Sequence, residues 1–128
     1  MKFLLDTHTF IWWTLNPTRL SAKAHSLLQD PQHEPFLSLI SVWEMQIKQQ
    51  IGKLHFNQPL DFVVAEQQRI NRLRLMPLQT DHIYGLSKLP FHHKDPFDRL
   101  LISQAISKTF PLMSADPMFS AYSAQLIW

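Results

Sequence analysis

The stretch Met1-Lys2-Phe3-Leu4-Leu5-Asp6-Thr7-His8 places a short apolar run directly before an acid. The run is too short for a comfortable helix, and its apolar residues are consecutive, which is typical of a strand that is buried on both faces. We therefore predict a strand over Lys2–Leu5, with Asp6 at its end. Strands of this kind belong to parallel sheets, in which helices cover both faces.

Short apolar runs of this kind recur along the chain and alternate with helical patterns. The other predicted strands are Phe36–Ile40, Leu73–Leu78, Pro111–Ser114 and Gln125–Trp128. The predicted helices are Ser21–Gln29, Ser41–Ile51, Pro59–Ile70, Thr80–Lys88 and Pro96–Lys108. Strands that alternate with helices favour an α/β fold with a short parallel sheet between two helical layers.

Length and composition indicate one globular domain over residues 1–128, since 45% of the residues are hydrophobic and only 17% are charged. The absence of cysteine excludes disulfides and thiolate metal sites. Two glycines are too few for a dinucleotide-binding fingerprint or a phosphate-binding loop. No secretory signal and no membrane-length apolar run is apparent, so we expect a cytoplasmic protein without membrane contact. A net charge of +2 permits a nucleic-acid partner without establishing one.

Four acids end predicted strands or begin predicted helices: Asp6, Glu44, Asp98 and Asp116. Because these two kinds of position meet at the carboxyl edge of a parallel sheet, we expect the four side chains to lie close together. Carboxylates held close repel one another unless they are protonated or neutralised by a cation. Hard cations such as Mg²⁺ and Mn²⁺ prefer such oxygen ligands, and they can activate water for attack on a phosphodiester.

Each acid also has an ordinary structural explanation. The acids that suit the N-cap of a helix are Asp6, Asp95 and Asp116. Glu44 lies four residues before Lys48, which is the spacing of a common surface ion pair. Asp98 differs, because it shares a helical stripe with Ile102 and Ala105 and is therefore expected on the buried side. The presence of all four acids at one edge favours function over coincidence.

The motifs and their order resemble those of PIN-domain proteins, specifically the VapC-type toxins of toxin–antitoxin pairs. The matching segments are Leu4-Leu5-Asp6-Thr7-His8, Ser41-Val42-Trp43-Glu44, Gly52-Lys53-Leu54, Asp95-Pro96-Phe97-Asp98-Arg99-Leu100-Leu101 and Ser114-Ala115-Asp116. The resemblance spans the whole chain and implies a three-layer α/β/α sandwich that cleaves RNA with Mg²⁺ or Mn²⁺. It also implies a homodimer, a small VapB-like antitoxin, and contact with DNA only through the antitoxin complex.

Carried onto this sequence, the family's acidic quartet falls on Asp6, Glu44, Asp98 and Asp116. The resemblance makes Asp6 and Asp98 the surest metal ligands, with the other two completing the shell or orienting the attacking water. By family analogy the substrate is transfer RNA or a loop of ribosomal RNA, and the sequence does not choose between them.

Four further residues are candidates for a supporting role: Thr7, Asp95, Ser114 and Arg99. The hydroxyl groups of Thr7 and Ser114 would bond to a ligand or water, although helix capping also explains both. We expect Arg99 to point away from Asp98 and to meet an RNA phosphate or an antitoxin acid. The adjacent pair His92-His93 is expected on a loop surface or against RNA phosphate, because neighbouring residues do not easily bind one ion.

Two other functions remain open at this point. One is a phosphatase with an aspartyl nucleophile after the first strand, although such enzymes usually carry a second acid where His8 stands. The other is a regulatory module that binds an ion without catalysis. A covalent phosphoaspartate would indicate the first, and metal binding without nuclease activity would indicate the second.

Overall fold

Five short parallel strands form a single sheet, and six α-helices cover its two faces. The computed structural model describes all 128 residues. The strands are β1 (Lys2–Leu5), β2 (Glu34–Ser38), β3 (Arg74–Met76), β4 (Leu112–Met113) and β5 (Leu126–Ile127). The helices are α1 (Thr7–Leu15), α2 (Ala22–Gln29), α3 (Leu39–Gln50), α4 (Leu60–Asn71), α5 (Thr80–Tyr84) and α6 (Pro96–Lys108). Three 3-10 turns lie at Pro17–Arg19, Gly85–Lys88 and Pro117–Ala121.

The strand order is β3-β2-β1-β4-β5, and every neighbouring pair runs parallel. Strand β1 lies at the centre, where Leu5 is opposite Leu37 of β2 on one side and Met113 of β4 on the other. The predicted parallel α/β sheet is confirmed. Strand β1 has its predicted bounds, β2 lies two residues earlier than predicted, and the other three strands are shorter than predicted.

Two hydrophobic cores lie on opposite faces of the sheet. Phe3 and Leu5 of β1 pack into the first core with Phe10 of α1 and with residues of α2, α3 and α4. Leu4, which points the other way, packs into the second core with Leu101 of α6. All five side chains are fully buried. These cores produce the predicted three-layer α/β/α arrangement, and none of the helices has both the length and the apolar character needed to cross a bilayer.

The boundaries of the helices determine where the acidic side chains lie at the edge of the sheet. Helix α6 has its predicted bounds, whereas α3 begins two residues earlier than predicted. The cause is Ser38, whose side chain caps α3 by accepting a hydrogen bond from the Ile40 N–H at 3.0 Å. Glu44 therefore lies in the second turn of its helix rather than the first. The predicted helix Thr80–Lys88 divides at Gly85 into α5 and a 3-10 turn.

Candidate active site

Asp6 follows the last residue of β1 and is buried, with 4% of its surface exposed. Its Oδ1 accepts a hydrogen bond from the Thr9 N–H at 2.7 Å, so the side chain caps α1. Its Oδ2 accepts a hydrogen bond from the Ser114 hydroxyl at 2.5 Å, which joins the ends of β1 and β4. Burial raises the pKa of Asp6, and these hydrogen bonds oppose the rise. The capping interpretation is thus correct, and the cap itself holds a carboxylate at the sheet edge.

Glu44 is held at both carboxylate oxygens. The hydroxyl of Thr7, the first residue of α1, donates to Oε1 at 2.8 Å, and the Ser41 hydroxyl lies 3.0 Å from the same Thr7 oxygen. The ammonium of Lys48 lies 2.8 Å from Oε2. The predicted ion pair with Lys48 is present, but it is not an ordinary surface pair, because the Glu44 side chain is only 8% exposed.

Asp98 lies in the first turn of α6 and is half-buried. Its pKa is raised to about 7 by burial first and then by the negative charges of other acids. In order of effect, those acids are Asp95, Glu44, Asp6 and Asp116. The structure therefore brings all five acids within electrostatic range of one another at the carboxyl edge of the sheet.

Asp95 and Asp116 both act as caps. A carboxylate oxygen of Asp95 accepts hydrogen bonds from the N–H groups of Phe97 at 2.8 Å and Asp98 at 3.3 Å, which starts α6. Asp116 caps the 3-10 turn that follows it, and its own N–H donates to Ser114 Oγ at 3.0 Å. Ser114 thus contacts Asp6 and Asp116 together.

His93 also belongs to this cluster, which the sequence analysis did not predict. Its Nε2 lies 3.1 Å from Oδ2 of Asp98. One ligand atom each from His93, Asp98 and Asp116 lie within 4.8 Å of one another. The loop surface predicted for the pair holds for His92, which is exposed, but not for His93, which is half-buried beside Asp98. The only signal in the sequence was the position of His93, two residues before the helix cap at Asp95.

Arg99 lies away from the acids and is buried, with 7% of its surface exposed. Its guanidinium donates to the carbonyl oxygens of Pro90 at 3.0 Å, Leu86 at 3.3 Å and Leu89 at 3.5 Å. The guanidinium carbon also lies 4.2 Å from the centre of the Phe91 ring. The predicted contact with an RNA phosphate or an antitoxin acid has no support here, because the backbone already occupies the guanidinium.

Comparison with known proteins agrees with this arrangement. Residues 3–125 match the family model described as the PIN domain. The chain belongs to the PIN domain family. The predicted resemblance to PIN-domain proteins is therefore confirmed, and the acids described above lie within the matched range of this PIN domain. Comparison with curated proteins gives no significant match.

Several solved structures share the fold of this PIN domain. A chain of VapBC2 from Rickettsia felis, bound to a DNA fragment from their promoter, matches with a TM-score of 0.75 and 15% identity over 99% of this chain and 98% of that chain. A chain of VapBC-1 from nontypeable Haemophilus influenzae matches with a TM-score of 0.70 and 19% identity, over 99% and 97%. A chain of FitAcB from Neisseria gonorrhoeae matches with a TM-score of 0.67 and 18% identity, over 100% and 97%.

The side chains of the acidic cluster in this PIN domain fit a hard divalent cation. The cluster offers carboxylate oxygens, and the chain has no cysteine that would favour a softer metal. Among the lysines and arginines, only Lys48 forms an ion pair with one of these acids. Burial raises the pKa of Asp98 first, and the negative charges of the neighbouring acids raise it further. Carboxylates that share such a site are stabilised in the charged form by Mg²⁺ or Mn²⁺.

Proposed function

We propose that this PIN-domain protein is a metal-dependent endoribonuclease and that it acts as the toxin of a type II toxin–antitoxin pair. The observation that carries the proposal is the convergence of Asp6, Glu44, Asp98 and Asp116, where burial first and then the neighbouring acids raise the pKa of Asp98 to about 7. Carboxylates gathered in this way are the usual ligands of the ions that assist phosphodiester hydrolysis. The structural neighbours in toxin–antitoxin complexes support the biological role.

In this proposal Asp6 and Asp98 hold the ion directly, and Glu44 and Asp116 complete its shell or orient the attacking water. A Mg²⁺ or Mn²⁺ ion supplies two effects there, because it lowers the pKa of bound water and offsets negative charge on the phosphodiester. Ser114 supports the site by fixing one oxygen of Asp6 through the 2.5 Å hydrogen bond from its hydroxyl.

The neighbours of the acids keep their carboxylates in place. Thr7 and Lys48 contact different oxygens of Glu44, so that this carboxylate has a fixed orientation before any ligand arrives. Asp95 contributes in another way, because its carboxylate caps α6 and thereby fixes the turn that carries Asp98. We place Asp95 outside the metal shell for this reason. Such outer partners commonly tune the affinity of a metal site.

The proposed substrate is RNA, either transfer RNA or an exposed loop of ribosomal RNA. The net charge of +2 and the sequence pI of about 9.1 are compatible with a polyanionic substrate. Proteins that recognise RNA generally act on unpaired loops, where the backbone and bases are accessible. We place the reaction in the cytoplasm, where such RNA occurs.

The proposed partners are a second copy of the chain and a small VapB-like antitoxin. The neighbouring structures are described as VapBC and FitAcB complexes, and one of them is bound to a DNA fragment from its promoter. We propose that this chain meets DNA only through its antitoxin, since its own acidic edge would repel a duplex. The carboxylate edge is instead suited to phosphate only when a cation is present.

The direct test is cleavage of structured RNA by the purified protein with Mg²⁺, with Mn²⁺ and with excess chelator. We expect cleavage with either ion and none with chelator, and we expect Asp6→Asn and Asp98→Asn to lose at least about a hundredfold in rate, as removal of one metal ligand or its support commonly does. Asp61→Asn is the matched control, because Asp61 is an exposed acid on α4 outside the cluster.

Two results would overturn this function. Cleavage by Asp6→Asn and Asp98→Asn at the wild-type rate, at matched purity, would show that the acids do not carry the reaction. Binding of Mn²⁺ without cleavage of any RNA would instead favour the ion-binding regulatory module.

A further inference from the structure

His93 is held in one orientation by contacts around its ring. Its Nδ1 accepts a hydrogen bond from the backbone N–H of Asp95 at 3.1 Å, and its Nε2 lies 3.1 Å from Oδ2 of Asp98. The ring stacks on the buried Phe119, with ring centroids 6.0 Å apart and planes at 26°. The backbone N–H of His93 donates to the Tyr122 hydroxyl at 2.8 Å. The ring therefore has little freedom to turn away from Asp98.

These partners determine which ring nitrogen carries the proton. A backbone N–H only donates, so the nitrogen that faces Asp95 must be the unprotonated nitrogen of a neutral imidazole. The proton then lies on Nε2, the nitrogen that lies 3.1 Å from Oδ2 of Asp98. The same arrangement disfavours His93 as a metal ligand, because the proton occupies the position that a metal on Nε2 would need.

The position of the His93 ring distinguishes the two Asp98 oxygens. Oδ2 is the oxygen that lies 3.1 Å from Nε2. Phe119, which supports the other side of the His93 ring, belongs to the 3-10 turn that Asp116 caps. His93 thus lies between the helix that carries Asp98 and the turn that follows Asp116.

We infer that His93 is a positioning residue whose Nε2–H donates to Oδ2 of Asp98 and holds this carboxylate in place at the cation site of the proposed nuclease. This inference rests on the proposed function and adds to it a residue outside the acidic quartet. Carboxylates that ligate metals are commonly held by such hydrogen bonds, and loss of the partner weakens metal affinity or activity by about 10–100-fold.

The test is Mn²⁺ affinity, measured by titration calorimetry on wild type, His93→Ala, His93→Gln and His92→Ala. We expect His93→Ala to weaken binding about tenfold or more, and His93→Gln to recover much of the affinity because its amide N–H still donates. His92→Ala should bind Mn²⁺ as wild type does, because His92 is the exposed neighbour and pairs with none of the acids. Thermal unfolding of each variant establishes that its fold is intact.

Two spectroscopic measurements distinguish positioning from ligation and from folding. Nitrogen-15 NMR of the metal-free protein should place the His93 proton on Nε2, and a proton on Nδ1 instead would overturn the inference without any metal. Pulsed EPR of bound Mn²⁺ should show no coupling to a histidine nitrogen. A nitrogen coupling that disappears in His93→Ala would make His93 a ligand and would also overturn the positioning role.

Failure of the inference and failure of the function give different results. Wild-type protein that binds no Mn²⁺ overturns the proposed function, and the positioning role with it. Wild-type binding that His93→Ala leaves unchanged overturns the positioning role alone.

Discussion

Asp98 concentrates the electrostatic cost of the acidic cluster in one carboxyl group. Its pKa is raised from 3.8 to about 7, first by burial and then by four neighbouring acids. The folded protein therefore binds more protons than the unfolded chain between these two pH values. The free energy of unfolding falls as the pH rises through that window, and the penalty is fully present above pH 7.

Replacement of Asp98 with Asn should therefore stabilise the metal-free protein at pH 8. We expect a gain of about 1–2 kcal/mol in the free energy of unfolding, less than the full shift implies because solvent screens a side chain that is 22% exposed. The gain should shrink as the pH falls toward 4, where the carboxyl of the folded protein is protonated and that of the unfolded chain is only partly ionised. Urea unfolding with chelator at several pH values measures this difference.

The control for this prediction is Asp61→Asn, since Asp61 is exposed in the first turn of α4. That change should give no stabilisation at any pH. An Asp98→Asn variant no more stable than wild type at pH 8 would mean that the cluster carries less uncompensated charge than the structure indicates.

At the scale of the elements, Arg99 fastens α6 to the segment that precedes it. Its guanidinium donates to three carbonyl oxygens in Leu86–Pro90, a segment that includes part of a 3-10 turn. The Leu86 carbonyl also accepts the Leu89 N–H at 3.2 Å, which closes the turn, whereas Leu89 and Pro90 lie beyond it. The charged group thus stabilises a loop, not a ligand.

Arg99→Met should keep the apolar stem and remove these hydrogen bonds. We expect a loss of about 2–3 kcal/mol in the free energy of unfolding, as for hydrogen bonds to a charged group. Hydrogen exchange should become faster in residues 86–93, and Arg99→Lys should recover part of the stability. If Arg99→Met unfolds like wild type but binds RNA more weakly, the result would contradict the structural role and would support the contact between Arg99 and an RNA phosphate that the sequence suggested.

Some elements could be predicted from the sequence because their ends carry local signals. The predicted bounds of α6 are correct at both ends, and its start follows from Asp95-Pro96, which is a strong signal for the beginning of a helix. The predicted start of α3 is two residues late. The reason is that Ser38 both ends β2 and caps the helix, so the sequence does not separate the end of the strand from the start of the helix. The sequence predicts no bounds for α1, because its apolar residues run consecutively from Phe10 to Trp13 and do not form a stripe along one side of the helix.

The convergence of the candidate acids could be predicted partly from topology, whereas the choice of Glu44 and Asp116 depended more on the family resemblance. Asp6 ends a strand, and the ends of parallel strands share an edge. The role of His93 could not be predicted in this way, because its direction depends on Phe119 and on Tyr122, which lies 29 residues further along the chain. Contacts of this kind have no periodicity in the sequence.

At the scale of the whole molecule, these side chains lie where the strand order of the sheet reverses. Strands β2 and β3 lie on one side of β1, and β4 and β5 lie on its other side. Open α/β sheets bind ligands at such a reversal, outside the carboxyl ends of the strands. Here the hydrogen bond from Ser114 to Asp6 crosses the reversal and joins the residues that follow β1 and β4. Metal binding at this point should therefore raise the free energy of unfolding of the whole domain.

The melting temperature of the protein should consequently rise when the ion binds. At a Mn²⁺ concentration about a hundred times its dissociation constant, binding to the folded state alone adds about 2.7 kcal/mol. For a domain of this size that corresponds to an increase in Tm of about 10 °C. Asp98→Asn should show the opposite pattern, with a higher Tm than wild type in chelator and a much smaller increase with Mn²⁺. Asp61→Asn should respond as wild type does, and an equal response from Asp98→Asn would place the ion elsewhere on the protein.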